Sequence, residues 1–190
     1  RVLADDRFAR VDLEAMAAPG MVLVAGELTT KTYIDVTGVV REVIADAGYS
    51  HPEMAFNSRS IAVLHILHEQ SEEVALAVDR RGAGNQGIAI GYATNETKTL
   101  GIETNLMPLP IYTAHQLARR LVEARINKTL PGLHPDGQVQ VTFLYDNAVP
   151  FRLLNATVSA QHSASADEKQ FREGLVETVL KPVIKELGSV

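Results

Sequence analysis

Three glycines in six residues, Gly82-Ala-Gly84-Asn85-Gln86-Gly87, run directly into Ile88-Ala-Ile-Gly-Tyr-Ala93. The spacing G-x-G-x-x-G is that of a dinucleotide-binding turn. Such a turn needs a strand before it and a helix after it, with the pyrophosphate on the helix N-terminus. The residues after Gly87 alternate large and small, which is the period of a strand. No helix follows, so the dinucleotide reading fails. What remains is a glycine loop entering a strand, where the backbone must bend sharply or let a ligand come close.

The flanking sequence alternates strands and helices without a strict βαβ rhythm. Val2 to Ala9 reads as the tail of a helix and a turn. Met21–Ala25 and Ile61–Leu67 read as strands, as does Ile88–Ala93. Asp35 is placed to cap a helix from Val36 to Ala47, with Val39, Val40, Val43 and Ile44 on one face and Gly48 as its stop. Thr113 is placed to cap a second helix, with Leu117, Leu121, Val122 and Ile126 as its apolar stripe. Val139–Tyr145 and Phe151–Ala160 read as strands joined by a turn at Asp146-Asn147. The loop 161–166 leads into a helix from Asp167 to Leu187, interrupted near Lys181 by Pro182. The expected class is α/β (α+β): mixed sheets, each with helices on one face, in two units of residues 1–100 and 101–190 with the division near Thr97–Asn105.

Composition excludes several functions. Formal net charge is −5, with no basic face of the kind that binds nucleic acid. Aromatic residues make up 5% and tryptophan is absent, so a base-stacking platform is not expected. There is no cysteine, which removes disulfides, thiolate metal sites and cysteine nucleophiles. No apolar run reaches the roughly 18 residues of a membrane span. With no visible signal peptide, the expected location is the cytoplasm.

Gly82–Gly87 and the Gly-Tyr-Ala-Thr-Asn-Glu-Thr97 that follows resemble the GAGDQG and GYATNET signatures of the S-adenosylmethionine synthetase (methionine adenosyltransferase) family. Met21-Val-Leu-Val-Ala-Gly-Glu-Leu-Thr-Thr30 resembles that family's GMVLVGGEITT. Met107-Pro108 with Ala114-His115 resembles its MPAPITYAH. Thr129-Leu-Pro131, His134-Pro-Asp136 and Gln140-Val-Thr-Phe143 resemble its GTLPWLRPDxKxQVT. Ser159, Gln161-His162 and Lys181-Pro182 follow in order, so the resemblance spans essentially the whole chain. It implies the first two of three similar α/β domains set around a pseudo-threefold axis. It also implies a reaction in which the methionine sulfur attacks the ribose 5′ carbon of ATP and the triphosphate leaves. Mg2+ and K+ serve that reaction in the family.

Carried over position by position, the resemblance makes Glu27 a partner of the substrate ammonium and Gln70 a methionine contact. It makes Glu14 a residue linked to monovalent cation binding. Three features depart from the pattern. Asn85 stands where the family has a substrate-adjacent aspartate, keeping the shape but losing the charge. Asp136 is kept, but Gln138 stands in the position of a phosphate-facing lysine. The family's HPDK motif, its later phosphate-binding lysines and its third domain have no counterpart in these residues. The segment from Gln70 to Gly82 reads as a short loop in place of the usual active-site lid.

Other candidates carry less. On a strand, His65 and His68 point to opposite faces and cannot share a metal. His115 reads as a helix-start residue and His162 as a packing residue. Arg119, Arg120, Arg125 and Lys128 read as a solvated helix face.

Two functional expectations follow. In the first, the chain is a subunit of a methionine adenosyltransferase, inactive alone, which completes or supports a site on a longer synthetase-like partner or in a homo-oligomer. Methionine, ATP and S-adenosylmethionine are then its ligands, and the partner holds most of the metal ions. In the second, it is a non-catalytic regulatory protein that keeps the fold and senses such a ligand. An excised piece of an ordinary enzyme is disfavoured by Asn85 and Gln138, which truncation would not alter.

Overall fold

A computed structural model describes residues 2–79 and 88–188 and divides the chain into two units, 1–89 and 90–190. The first unit begins with a single helical turn, α1 (Val2–Asp5), and a strand, β1 (Arg10–Ala18). The Asp6 carboxylate accepts from Thr30 Oγ1 at 2.8 Å and from the Lys31 N–H at 3.0 Å, tying this entry to the end of the next strand. β2 (Met21–Thr29), α2 (Val36–Asp46), β3 (Ala62–His68) and α3 (Glu72–Asp79) follow. β2 is the central strand, antiparallel to β1 and parallel to β3. The helix α2 is the crossover that a parallel pair requires.

Asp35 caps α2 by accepting from the Gly38 N–H at 2.9 Å, and Gly48 leaves the helix at φ 100°. Its buried side meets one face of the sheet, where Val22, Val24, Ile44 and Ile61 form the core. Val43, expected on that side, is instead 57% exposed. Arg41 donates to the carbonyls of Ser58 and Ile61 and fixes the approach to β3. The segment after Gln70 is the helix α3, not the loop the sequence pattern implied.

Among the described residues, the helix packed on this sheet is α2, on the core face. On the opposite face, strand register sets three side chains abreast in each row: Met16, Leu23 and Leu64, then Glu14, Ala25 and Ile66, then Asp12, Glu27 and His68. Met16, Leu64 and Ile66 are each more than half exposed. The face therefore grades from an apolar end to a polar end.

The strand expected at 88–93 does not form among the described residues, and Ile88 and Ile90 are each 93% exposed. Alternation marks a segment fit to be a strand, but a strand exists only where another edge accepts its hydrogen bonds. The loop that follows is laced to itself. The Thr94 N–H donates to the Leu106 carbonyl at 2.9 Å, and the buried hydroxyls of Thr97 and Thr104 meet at 3.3 Å. Asn105 and Leu106 both take positive φ at its tip.

The long helix α4 (Leu109–Ile126) starts earlier than expected. Thr113 is not its cap: the fully buried hydroxyl donates to the Leu109 carbonyl at 2.8 Å inside the helix. Pro108, at the cap position, supplies no side-chain acceptor. The acceptor comes from Glu96, whose Oε1 receives the Leu109 N–H at 2.8 Å and the Tyr145 hydroxyl at 2.8 Å. Leu117 and Leu121 are buried as expected, whereas Val122 and Ile126 are exposed.

β4 (Leu133–Asp146) and β5 (Val149–His162) form an antiparallel hairpin. Asn147 and Ala148 turn it at φ 46° and 65°, the two positive values of a type I′ turn. α5 (Glu168–Leu175), capped by Asp167, widens into a π-helical segment (Val176–Leu180) before α6 (Lys181–Glu186). Pro182 lacks the amide that would continue the ladder, and the helix accommodates this by widening over the preceding turn. Leu117, Leu121, Phe171, Val179 and Val183 form the core, with Val139, Val141, Ala156 and Val158 of the hairpin packed against it. Both sheets thus carry helices on one face, and the class is the expected mixture of α and β.

The Glu96 clamp is open to test. Glu96→Ala removes the cap of α4 and the partner of Tyr145, and chemical denaturation should show a loss of about 1–3 kcal/mol. Burial first, and then the bond to Glu96, raise the Tyr145 phenol above its ordinary value. An acid held protonated in the folded state stabilises it below the unfolded value of about 10, and the contribution is lost as pH rises beyond that. Wild type should therefore lose stability above pH 10 more steeply than Tyr145→Phe, and equal slopes would contradict the clamp.

Candidate functional site

The polar end of the open face in the first unit is built by one glycine. Gly26 lies at φ 138°, a region L side chains rarely adopt, and a Cβ there would run into the Asp12 carbonyl oxygen. Without a side chain, β2 approaches β1 closely and Glu27 is set directly opposite Asp12. Two carboxylates facing each other across strands repel, which favours a cation lying over them. Glu27 is half-buried and flanked on its other side by His68.

Gln70 lies beside the end of β2. Its backbone N–H donates to Thr29 Oγ1 at 3.1 Å, two residues beyond Glu27. Its side-chain Oε1 is buried without a hydrogen-bond partner among the described residues. A buried acceptor left in this state costs about 1–3 kcal/mol, so it is a group waiting for a donor. The sequence-predicted Glu27 and Gln70 therefore come to the same end of one sheet. Glu14 is exposed on the neighbouring row, beside Ala25. Asn85 lies outside the described residues.

Asp136 and Gln138 belong to the second unit. Both are exposed on β4, Gln138 opposite Ser159, and Asp136 beside a shift in strand register between Leu133 and Gly137. His134 is half-buried with an unpartnered Nδ1 and lines, with Leu121 and Arg125, a cavity of about 80 Å³ between α4 and β4. His115 stands exposed within α4, past its first turn, so it is not a helix-start residue. His162 packs its ring 4.6 Å from Phe171 and bonds the Ser163 carbonyl through Nδ1 at 2.9 Å. Arg120 pairs with Glu186 at 2.8 Å on the surface.

Among the described residues no three acidic or histidine side chains converge. Glu14 and Asp136 are exposed carboxylates, and neither belongs to a group of three such ligands among the described residues. From the sequence, Asp12 is not singled out, Gly26 figures only within a motif, and His68 is weighed only as a metal partner of His65. The signal for Asp12 was the alternation of Val11, Leu13, Ala15 and Ala17, which marks β1 and fixes its register.

An exposed carboxylate, Asp12, opposite a half-buried one, Glu27, with a buried amide oxygen and an open apolar sheet face beside them, mark this end of the sheet as the candidate site. A family model of the S-adenosylmethionine synthetase N-terminal domain matches residues 1–72, and one of its central domain matches residues 80–189. A protein of Desulforudis audaxviator named S-adenosylmethionine synthase is 43% identical over 197 aligned positions, covering 96% of this chain and 48% of that protein. The chain belongs to the S-adenosylmethionine synthetase family and spans about half the length of that relative.

Two substitutions probe this end of the sheet. Gly26→Ala should destabilise the first unit by at least about 2 kcal/mol, since it combines a strained φ with a backbone clash. Gln70→Met should leave thermal stability unchanged or raise it by about 1 kcal/mol, because it removes an unsatisfied buried acceptor. A melting temperature lowered by several degrees in Gln70→Met would show that the amide serves packing.

Proposed function

We propose that this chain is a subunit of a methionine adenosyltransferase, forming S-adenosylmethionine from ATP and methionine, and that it supplies the methionine side of a site completed by a longer partner subunit. The observation that carries this reading is that Asp12, Glu27 and Gln70, with its buried amide oxygen, all lie at one end of β2. An amino acid's ammonium is the kind of group such acceptors take, with Glu27 assigned as its charge partner and Gln70 as the acceptor of a second hydrogen bond. Fixing the ammonium orients the sulfur for attack. In the step itself the sulfur–C5′ bond forms, the C5′–oxygen bond breaks, and the bonding pair leaves with the triphosphate. No covalent link to the protein is needed, so catalysis is positioning plus stabilisation of the departing charge.

The triphosphate side is assigned to the partner. Gln138 carries no charge, and Asp136 is a single exposed carboxylate. The Mg2+ and K+ used by the family are assigned to the partner for the same reason: the described residues offer no converging ligands. The open apolar rows of Met16, Leu23, Leu64 and Ile66 support pairing. They are continuous with the polar row of Glu27, so a subunit covering the first also reaches the second.

The test is kinetic. The chain alone should form no S-adenosylmethionine above background, and a turnover of about 1–1000 per second would contradict the assignment. In the complex with its native partner, Glu27→Ala should raise the methionine concentration required roughly 10- to 150-fold, the equivalent of about 1.5–3 kcal/mol for a charge-assisted contact. The ATP requirement should hardly change. Methionine dependence untouched by Glu27→Ala would leave the chain a structural subunit only.

A further inference from the structure

Gln70 lies beyond the ladder that places Glu27. The parallel pairing of β2 with β3 ends at Glu27 and His68. Past that point the backbone carrying Gln70 needs another partner for its amide. The Gln70 N–H donates to the side-chain hydroxyl of Thr29 at 3.1 Å, across 41 residues of sequence. Thr29 stands two residues after Glu27, so strand alternation sends both side chains to the same face of β2.

A threonine suits this task. Two heavy atoms on its Cβ leave few χ1 positions, so its hydroxyl is aimed more firmly than a serine's. The residues that follow it are pinned by Asp6. Thr30 Oγ1 donates to Asp6 Oδ2 at 2.8 Å, the Lys31 N–H donates to the same oxygen at 3.0 Å, and the Phe8 N–H donates to Oδ1 at 3.1 Å. The Thr32 N–H closes the turn on Thr30 Oγ1 at 3.2 Å. Both oxygens of the Asp6 carboxylate are engaged, which ties down the end of β2 from which Thr29 reaches. Gln70 Oε1, buried without a partner among the described residues, belongs to the segment that this hydroxyl holds.

We propose that Thr29 is a positioning residue for the ligand site: its hydroxyl stands in for the ladder carbonyl that ends with β2 and β3, and holds the Gln70 backbone so that the Gln70 amide oxygen is presented at the Glu27 end of the sheet. That the ligand is methionine rests on the function proposed above. The hold of Thr29 on Gln70 does not.

The experiment compares Thr29→Val, which keeps the shape of the side chain and removes the hydroxyl, with Thr29→Ser, which keeps the hydroxyl. In the 15N-labelled chain, the Gln70 amide should exchange with solvent roughly 2- to 12-fold faster in Thr29→Val, as loss of one neutral hydrogen bond gives. Thr29→Ser should restore most of the protection, and the amides of Val22 and Val24 should be unchanged in both variants. In the complex with the native partner, Thr29→Val should raise the methionine requirement by a similar factor and leave the ATP requirement and the maximal rate nearly as they were. In a Gln70→Ala background it should add nothing, since both substitutions act through one group. Unchanged Gln70 exchange in Thr29→Val, no restoration by Thr29→Ser, or a methionine effect that adds in full to that of Gln70→Ala would each overturn the proposal. So would an unchanged methionine requirement in Thr29→Val where Gln70→Ala raises it. If Glu27→Ala and Gln70→Ala both leave methionine dependence unchanged, the function proposed above fails and the positioning role falls with it. The Gln70 exchange, measured in the chain alone, tells these two failures apart.

Discussion

The close approach of β1 and β2 at Gly26 sets the geometry on which the first unit's chemistry depends. A side chain at that position would strike the Asp12 carbonyl, and the positive φ is open to few residues other than glycine. With the strands this close, Asp12 and Glu27 face each other in register, with His68 on the far side of Glu27. The cost of opposing carboxylates is carried by a sheet whose other face is packed on Val22, Val24 and Ile44. A buried underside holds the two facing carboxylates in place. In the function proposed here, a ligand ammonium would lie over the two carboxylates on a support already in place.

The second unit solves a different problem. Its helix α4 begins at Pro108, which offers no side chain to the free amides of the first turn. Glu96, thirteen residues before Leu109 in sequence, reaches back to supply the acceptor and takes the Tyr145 hydroxyl on the same oxygen. One carboxylate therefore joins the loop, the helix start and the end of β4. The Thr-Asn-Glu-Thr97 run, read in the sequence as part of a family signature, has a structural purpose that the signature alone does not reveal.

Local signals in the sequence were reliable where the physics is local. Asp35 and Gly48 bounded α2 because capping involves residues three or four apart. Asp146-Asn147 marked the hairpin because only a few residues accept positive φ, and Pro182 marked the break in the last helix. The failures involve distant partners. Thr113 looked like a cap because the true acceptor, Glu96, comes from another segment. Residues 88–93 have a strand's alternation, but no described edge receives them. β1 has small alanines on its alternating side, so its apolar signal is faint, and Asp12 went unnoticed with it. Of the candidate site, Glu27 and Gln70 were singled out through resemblance to family motifs, whereas the placing of Asp12 and His68 beside Glu27 needed the register.

The central claim is that the Glu27 end of β2 holds the methionine of a shared active site. A crystal structure of the chain with its native partner and bound methionine tests it most directly. The account predicts the methionine ammonium at about 2.7–2.9 Å from the Glu27 carboxylate, with Gln70 Oε1 accepting a second bond from the ligand. Methionine bound elsewhere, with Glu27 paired to a lysine or arginine of the partner, would contradict it.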